Sequence, residues 1–400
     1  MRIVWVARSF LDYRIPVFQK LFDLTDGNLF VIYSKEVIPQ RTNNKVISCL
    51  GENAIGLSKE FSLGESNFAD HLSNSVIRIV FQPDLMKRII DLSPDVIVSE
   101  GFFQWTIIPL WLKITKRIPN VICYERTAHT ERNASKLRTF YRKFASFFTD
   151  AICCSGSLCS EYVIKRLGYN KAYVTSGHLV ADVDYFFRSA GAIPKPAIEK
   201  LKLDIGASGT IFLYVGRLIK RKGLDFLLNA WLEFGRSNSL EKTLIIVGGG
   251  KEKNALSEFC RIRNIKNVRF IGEVDYDSLP VYYRAADIFI TPTLEDNWSL
   301  VVSEAMACGL PIICSKYNGS WPELVSNENG WFFDPLDNPG FVNILNECIR
   351  NRGEFSRMGE ASIRIIKKYN PASAADSILR ACKIAIERRS AEKKSEERKD

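Results

Sequence analysis

The first strand-to-helix turn of this chain, Arg8-Ser-Phe-Leu-Asp-Tyr-Arg14, lacks the glycines that a dinucleotide-binding turn requires. A nicotinamide-dependent dehydrogenase is therefore disfavoured at the outset. Long apolar runs are missing too. The most apolar stretch, residues 101–112, contains Gln104 and Pro109 and falls well short of the roughly 20 residues that span a bilayer, so no transmembrane helix is expected. The opening MRIVWVARSF has no apolar core of signal-peptide length and no small-residue cleavage site, and secretion is not expected. Zinc-type paired CxxC spacing is absent from the ten cysteines, and Cys153, Cys154 and Cys159 are wrongly spaced for tetrahedral ligation. Thiols scattered in this way act as small core hydrophobes in a reducing compartment, which points to the cytoplasm.

What is present is a repeated β/α alternation. At 400 residues the chain is too long for one ordinary domain. Its net charge of +10 suits nucleic acid, anionic lipid or a phosphorylated substrate equally, and decides nothing alone. Apolar runs at residues 2–7, 30–34, 95–99, 121–124, 151–154 and 172–175 read as parallel strands separated by helical patterns. Residues 35–75 are polar and weakly patterned, and read as an irregular insertion or a loop that meets an acceptor. Between 187 and 209 the periodicity dissolves among prolines and small residues. After it the alternation restarts, with strands at 210–215, 244–247, 268–271, 287–291, 311–315 and 331–333. The expected organisation is a Rossmann-like domain over 1–187, a linker over 188–209, a second Rossmann-like domain over 210–370, an amphipathic helix over 371–388 that crosses back to the first domain, and a charged, frayed tail over 389–400.

Two segments carry candidate chemistry. Gly216-Arg217-Leu218-Ile219-Lys220-Arg221-Lys222-Gly223 leaves a strand and enters a helix, with two glycines bracketing four cations. Arg217 offers a guanidinium fork and Lys222 a point charge, a pairing suited to a diphosphate; the spacing is not that of a P-loop. The second segment, residues 291–323, reads as strand, loop, helix and strand. Asp296 lies in its loop and Glu304 inside its helix. Carboxylates accept hydrogen bonds only, so these two suit the hydroxyls of two sugars, with the free N–H groups near Trp298, Ser299, Leu300 and Val301 holding a phosphate between them. In the first half, Glu100 and Glu125-Arg126 follow strand ends on the side where open α/β sheets bind ligands. Residues 136–148 place Leu137, Phe140, Tyr141, Phe144, Phe147 and Phe148 on one helical face with Lys136, Arg138, Arg142 and Lys143 elsewhere. That face either rests in a membrane interface or docks on the sheet.

GRLIKRKG together with EDNWSLVVSEAMACGLP resembles family 4 of the retaining glycosyltransferases, a likeness extended by Pro94-Asp-Val-Ile and by Val183-Asp184 and Phe186. The resemblance implies the GT-B fold, α/β with two Rossmann-like domains facing each other across a cleft. It implies that Arg217 and Lys222 hold the donor diphosphate, that Glu304 binds the nucleotide ribose, and that Asp296, with Glu295 as the alternative register, faces the donor sugar. Gly216 belongs to the same donor loop, and the backbone near Val274 is where such folds read the base. No metal and no cofactor is implied, so Asp182-Val-Asp184 and Asp275-Tyr-Asp277 read as structural loops.

This sequence departs from the family in its first turn, where Arg14 takes the place of the usual glycine pair. It departs again after the strand at 121–124, where many relatives carry a His and this chain has Glu125, with His129 four residues on. Acceptor binding is thus expected from Arg14, Glu100, Glu125, Arg126 and His129, with Glu125 or His129 near the reacting hydroxyl. The implied activity moves a sugar, with retention, from a nucleotide diphosphate sugar to a hydroxyl of a glycan or lipid-linked glycan, as in cell-surface polysaccharide assembly. Contact with the inner face of the membrane through residues 136–148 goes with it; a nucleic-acid partner does not. A nucleotide-sugar epimerase on the same fold and a non-catalytic scaffold on a decayed transferase frame remain as alternatives.

Overall fold

The computed structural model describes residues 1–63 and 79–397. They form two compact units, one of residues 1–180 with 371–400 and one of residues 181–370.

In the first unit the strands are β1 (Ile3–Val6), β2 (Leu29–Ser34), β3 (Ala54–Leu57), the short antiparallel pair β4 (Phe61–Leu63) and β5 (Ile79–Phe81), then β6 (Val96–Glu100), β7 (Asn120–Tyr124), β8 (Ala151–Cys154) and β9 (Val174–Ser176). Seven of them make one parallel sheet in the order β3-β2-β1-β6-β7-β8-β9. The helices are α1 (Ile15–Leu24), α2 (Gln40–Leu50), α3 (Leu85–Asp91), α4 (Ile107–Lys116), α5 (Lys136–Phe147) and α6 (Ser157–Glu161). Central strands such as IVWV are buried on both faces, so they read as unbroken apolar runs rather than alternating ones. The order reverses at β1, which makes the ends of β1 and β6 the switch point where such sheets place ligands.

Three expectations for this part change. Before residue 64 the polar stretch is regular: α2 buries Thr42, Val46 and Leu50 at a spacing of four, and β3 pairs with β2. The stripe is only three residues wide in a polar background, which hid the helix. The remainder of the stretch, from 64 to 75, lies outside the described residues. The second change concerns α5. Leu137, Phe140, Phe144 and Phe147 are 70, 67, 56 and 82% exposed, while the face turned inward carries Arg142, Ala145 and Ser146. Arg142 is held there by Glu131 at 2.5 Å, an ion pair in which both partners are buried. Docking of the aromatic face on the sheet is therefore limited to Tyr141 and Phe148.

The last helix, α16 (Pro371–Glu396), belongs to the first unit, as the crossover expectation required. Ala374, Ala375, Ile378, Ala381, Cys382 and Ala385 are fully buried; the small side chains of the four alanines and Cys382 let the helix lie close to the sheet. Arg388 donates to the Asp150 carbonyl at 2.6 Å and stacks 3.9 Å over the Tyr173 ring. The charged tail differs from expectation: it continues the helix to Glu396. Lys113 reaches Glu392 at 3.2 Å and Arg117 pairs with Glu396, anchoring turns that composition alone would leave frayed.

The second unit opens with α7 (Val183–Ala192) and α8 (Lys195–Asp204), so residues 188–209 are not a linker. The prolines that broke the pattern sit at a helix start, Pro194 at the N-cap and Pro196 in the first turn of α8, while Asp182 caps α7 by accepting from the Tyr185 N–H at 3.2 Å. Then come β10 (Thr210–Val215), α9 (Leu224–Ser237), β11 (Lys242–Val247), α10 (Lys253–Ile262), β12 (Val268–Gly272), α11 (Leu279–Ala285), β13 (Ile288–Thr291), α12 (Leu300–Ala307), β14 (Ile312–Ser315), α13 (Trp321–Leu324), β15 (Gly330–Phe333), α14 (Asn338–Arg350) and α15 (Phe355–Ile366). The parallel sheet runs β12-β11-β10-β13-β14-β15, again reversing at its first strand. Phe212, Trp231, Phe234, Leu244, Ile290 and Phe341 fill the core on one face. Two Rossmann-like units with a C-terminal helix on the first are the components of the expected GT-B fold.

Candidate active site

The second unit brings its two chemical segments together at the switch point, where β10 and β13 end. Gly223 makes this possible. Its φ is +68°, and a Cβ there would stand 2.3 Å from the Pro292 carbonyl oxygen, so only glycine lets the basic turn lie against the acidic loop. Backbone bonds lock the contact: the N–H of Leu294 donates to the Arg221 carbonyl at 2.9 Å, and the Arg221 guanidinium donates to the Glu295 carbonyl at 3.3 Å. Gly319 closes the loop from the other side, its N–H donating to the Asp296 carbonyl at 2.9 Å.

Lys222 Nζ and Asp296 Oδ2 are 2.5 Å apart, and both side chains are largely withdrawn from solvent. Burial alone would raise the Asp296 carboxyl, but the Lys222 charge and hydrogen bond hold it below its ordinary value. Of the two adjacent acids it is thus Asp296 that pairs with the basic turn. Glu295 is buried beside it. Arg217 is exposed at the mouth of the same turn, its carbonyl accepting from the Tyr214 hydroxyl at 3.0 Å. Trp298 and Ser299 are buried just before α12, with the Trp298 ring 6.2 Å from Tyr369. Leu300 begins the helix; the Val302 N–H donates to the Ser299 carbonyl at 3.2 Å, and the N–H groups before it have no intrahelical partner. Val274 lies half-buried after β12, and Gly216 directly follows the end of β10.

Glu304, one turn into α12, is buried, and the Tyr283 hydroxyl donates to it at 2.7 Å. Burial pushes its carboxyl up to about 7, Tyr283 offsetting part of the rise. Tyr283 carries no motif and gave no signal in the sequence. A raised carboxyl binds protons more tightly folded than unfolded, so its contribution to stability is complete below the ordinary glutamate range and is lost as pH rises through 7. Glu304→Gln is accordingly expected to stabilise the fold at pH 8, by on the order of 3 kcal/mol, and to have little effect near pH 4. Paired urea titrations at the two pH values check this; an equal effect at both would contradict it.

Asp182 and Asp277 have structural partners, Asp182 capping α7 and Asp277 Oδ1 accepting from the Tyr185 hydroxyl at 3.3 Å.

In the first unit, the ends of β1, β6 and β7 surround a cavity of about 310 Å³. Arg14, Glu100, Glu125 and Arg126 all line it, so four of the five expected acceptor residues converge. His129 does not; it sits in the turn after β7, where its carbonyl accepts from Arg132 at 2.6 Å. Arg14 is buried, with Nη2 3.2 Å from Glu100 and Nη1 donating to the His178 carbonyl at 2.6 Å. Burial raises the Glu100 carboxyl, and Arg14 pulls the other way. Arg8, Arg138, Arg142, Trp105, Tyr124 and His178 are among the other residues that line it. The sequence reading missed His178; it lies after β9 in a segment with no recognisable motif.

Among the described residues no helix is long and apolar enough to cross a membrane. Residues 198–365 match the model of the family described as glycosyl transferases group 1. The chain is 29% identical over 177 residues to O-antigen chain mannosyltransferase B of Escherichia coli, covering 44% of this chain and 45% of that one. It is 25% identical over 200 residues to a D-inositol 3-phosphate glycosyltransferase of Frankia alni, covering 48 and 49%. The chain thus spans about half the length of these curated relatives. Anabaena HepE, solved with UDP and glucose, superposes with a TM-score of 0.70 over 95% of this chain and 98% of its own, at 16% identity, which shows a shared fold. Over residues 198–365 the chain is thus similar to the glycosyl transferases group 1 family.

Proposed function

We propose that the chain transfers a sugar from a nucleotide diphosphate sugar to a hydroxyl acceptor with retention at the anomeric carbon. The carrying observation is the Lys222–Asp296 pair at 2.5 Å, fixed just before the start of α12 and followed by the buried Glu304. In this reading Arg217 and Lys222 take the diphosphate with the free N–H groups of Ser299 and Leu300. As the bond from the anomeric carbon to the diphosphate breaks, negative charge grows on the leaving oxygens, and fixed cations with aligned N–H dipoles stabilise it. Asp296 faces the transferred sugar, Glu304 the ribose, and the backbone near Val274 the base. Arg14, Glu100, Glu125 and Arg126 hold the acceptor. That HepE was solved with UDP and glucose, and that a matched relative is an O-antigen mannosyltransferase, support a nucleotide-sugar donor and a polysaccharide product. Incubation with UDP- and GDP-sugars and a glycan acceptor tests it. Release of nucleoside diphosphate with a glycosylated product of retained configuration is the expected outcome; an epimerised nucleotide sugar without diphosphate release would replace the reading by an epimerase.

The exposed stripe of α5 supports a working position at the inner face of the cytoplasmic membrane. Connections from β6 to β7 and from β7 to β8 step the same way along the sheet, so α4 and α5 cover one face. On α4, Ile107, Trp111 and Ile114 are also exposed. Lys116, Lys136 and Lys143 are exposed on the same two helices. Apolar side chains flanked by lysines suit the headgroup boundary of an anionic bilayer. Phe140→Ser with Phe147→Ser is expected to cut co-sedimentation with phosphatidylglycerol vesicles at least tenfold while leaving turnover on a water-soluble acceptor unchanged; undiminished sedimentation would sink the idea.

A further inference from the structure

The first-unit cavity contains a buried histidine whose protonation state the structure fixes. His178 is only 2% exposed, and its Nε2 lies 3.0 Å from the Tyr124 carbonyl oxygen. A carbonyl only accepts, so Nε2 carries the hydrogen. Burial and the neighbouring Arg14 charge hold the imidazole far below its ordinary value, at about 3. It is therefore neutral throughout the physiological range, with one tautomer, and Nδ1 is left as a bare lone pair without a hydrogen-bond partner. Such a ring is too weak a base to take a proton near neutral pH, but it is a fixed hydrogen-bond acceptor.

Other polar atoms of lining residues are also unsatisfied: Trp105 Nε1, Arg14 Nε, Arg142 Nε and the Tyr124 hydroxyl are buried without a hydrogen-bond partner. All four residues line the cavity together with His178. Buried polar atoms left unpaired are costly, and their clustering at one cavity marks a site completed by a polar occupant. The lining supplies donors from Arg, Trp and Tyr and acceptors from His178, Glu100 and Glu125. An occupant that matches both sets must donate and accept from several directions over a few ångströms, and a sugar ring with its hydroxyls does so. A plain phosphate has no hydroxyl array to meet the acceptors.

We infer that the cavity is a sugar subsite of the first unit, in which His178 positions the occupant by accepting a hydrogen bond from one of its hydroxyls at Nδ1. The inference deepens the acceptor half of the proposed function and rests on it for the identity of that sugar as the acceptor. His178 acts as a positioning and specificity residue, without a proton transfer of its own.

Two substitutions separate this role from a structural one. His178→Gln places an amide where Nε2 was, keeping the bond to the Tyr124 carbonyl but removing the acceptor at the Nδ1 position. His178→Asn does the opposite. Binding of the methyl glycosides of mannose, glucose and galactose by the full chain, followed by ligand-observed NMR, provides the readout, with thermal melting alongside. The expected result is binding of at least one glycoside by the wild type, a loss of at least tenfold in the Gln variant despite near-normal melting, and partial retention in the Asn variant despite a lower melting temperature. Wild-type affinity should be flat from pH 5 to 8. Glycoside affinity that follows melting temperature, with Gln retaining it and Asn losing it, would overturn the inference, as would a wild type that binds none of the three. UDP and GDP binding in the same samples reports separately on the second unit, so failure of the subsite and failure of the transferase reading are distinguishable.

Discussion

Lys222→Met is expected to lower glycosyl transfer by about 10²–10³-fold, the range found when a preorganised group opposite developing negative charge is removed. The effect should fall on kcat more than on the donor KM, because the diphosphate gains charge as the glycosidic bond breaks. One structural consequence tempers the choice of variant. Lys222 also compensates Asp296, whose side chain is 13% exposed, and its removal leaves that carboxylate with only Arg221 and the Ser299 hydrogen bond to oppose burial, which raises its affinity for protons. Lys222→Met should therefore lose some stability as well, and pairing it with Asp296→Asn should restore stability without restoring turnover. Steady-state kinetics beside urea denaturation of the single and double variants separate the two effects. Recovery of activity in the double variant would mean that Lys222 acts only by holding its neighbour.

The second large effect lies far from the donor site. Arg142→Ala removes the nearest cation from the Glu131 carboxylate in the interior of the first unit, where both partners have side chains no more than 2% exposed and only the longer 3.8 Å contact to Arg126 is left in its place. Breaking a buried pair from one side costs about 3–5 kcal/mol. Equilibrium urea unfolding should show that loss, whereas Arg142→Met combined with Glu131→Leu should recover most of it. A single variant within 1 kcal/mol of wild type, roughly the worth of an exposed pair, would show that the pair is solvated in solution. The same substitution bears on α5, because Arg142 is what turns its polar side inward and its phenylalanines out.

Both sheets, apart from the edge strand β3, were legible from unbroken apolar runs, since a strand buried on two faces announces itself without periodicity. The pairing of Gly216–Gly223 with Asp296 was legible too, because glycine, cation and acid recur at fixed places around strand-to-helix turns. Burial direction was not. The wheel of residues 136–148 has an apolar side, yet Arg142 finds Glu131 across a turn of irregular chain, and no local pattern encodes that partner. The prolines near 194 and 196 illustrate the converse, since a breaker inside one reading is a helix start in another. Tyr283 against Glu304 and His178 against Arg14 are contacts between residues distant in sequence, made only once the sheet has brought their segments together.

Calorimetric titration of UDP and GDP into the full chain, wild type beside Lys222→Met, tests the central claim most directly. The account predicts saturable one-site binding of at least one of the two nucleotides by the wild type and an affinity at least tenfold weaker in the variant. Equal affinity in both proteins, or no binding of either nucleotide by the wild type, would contradict it.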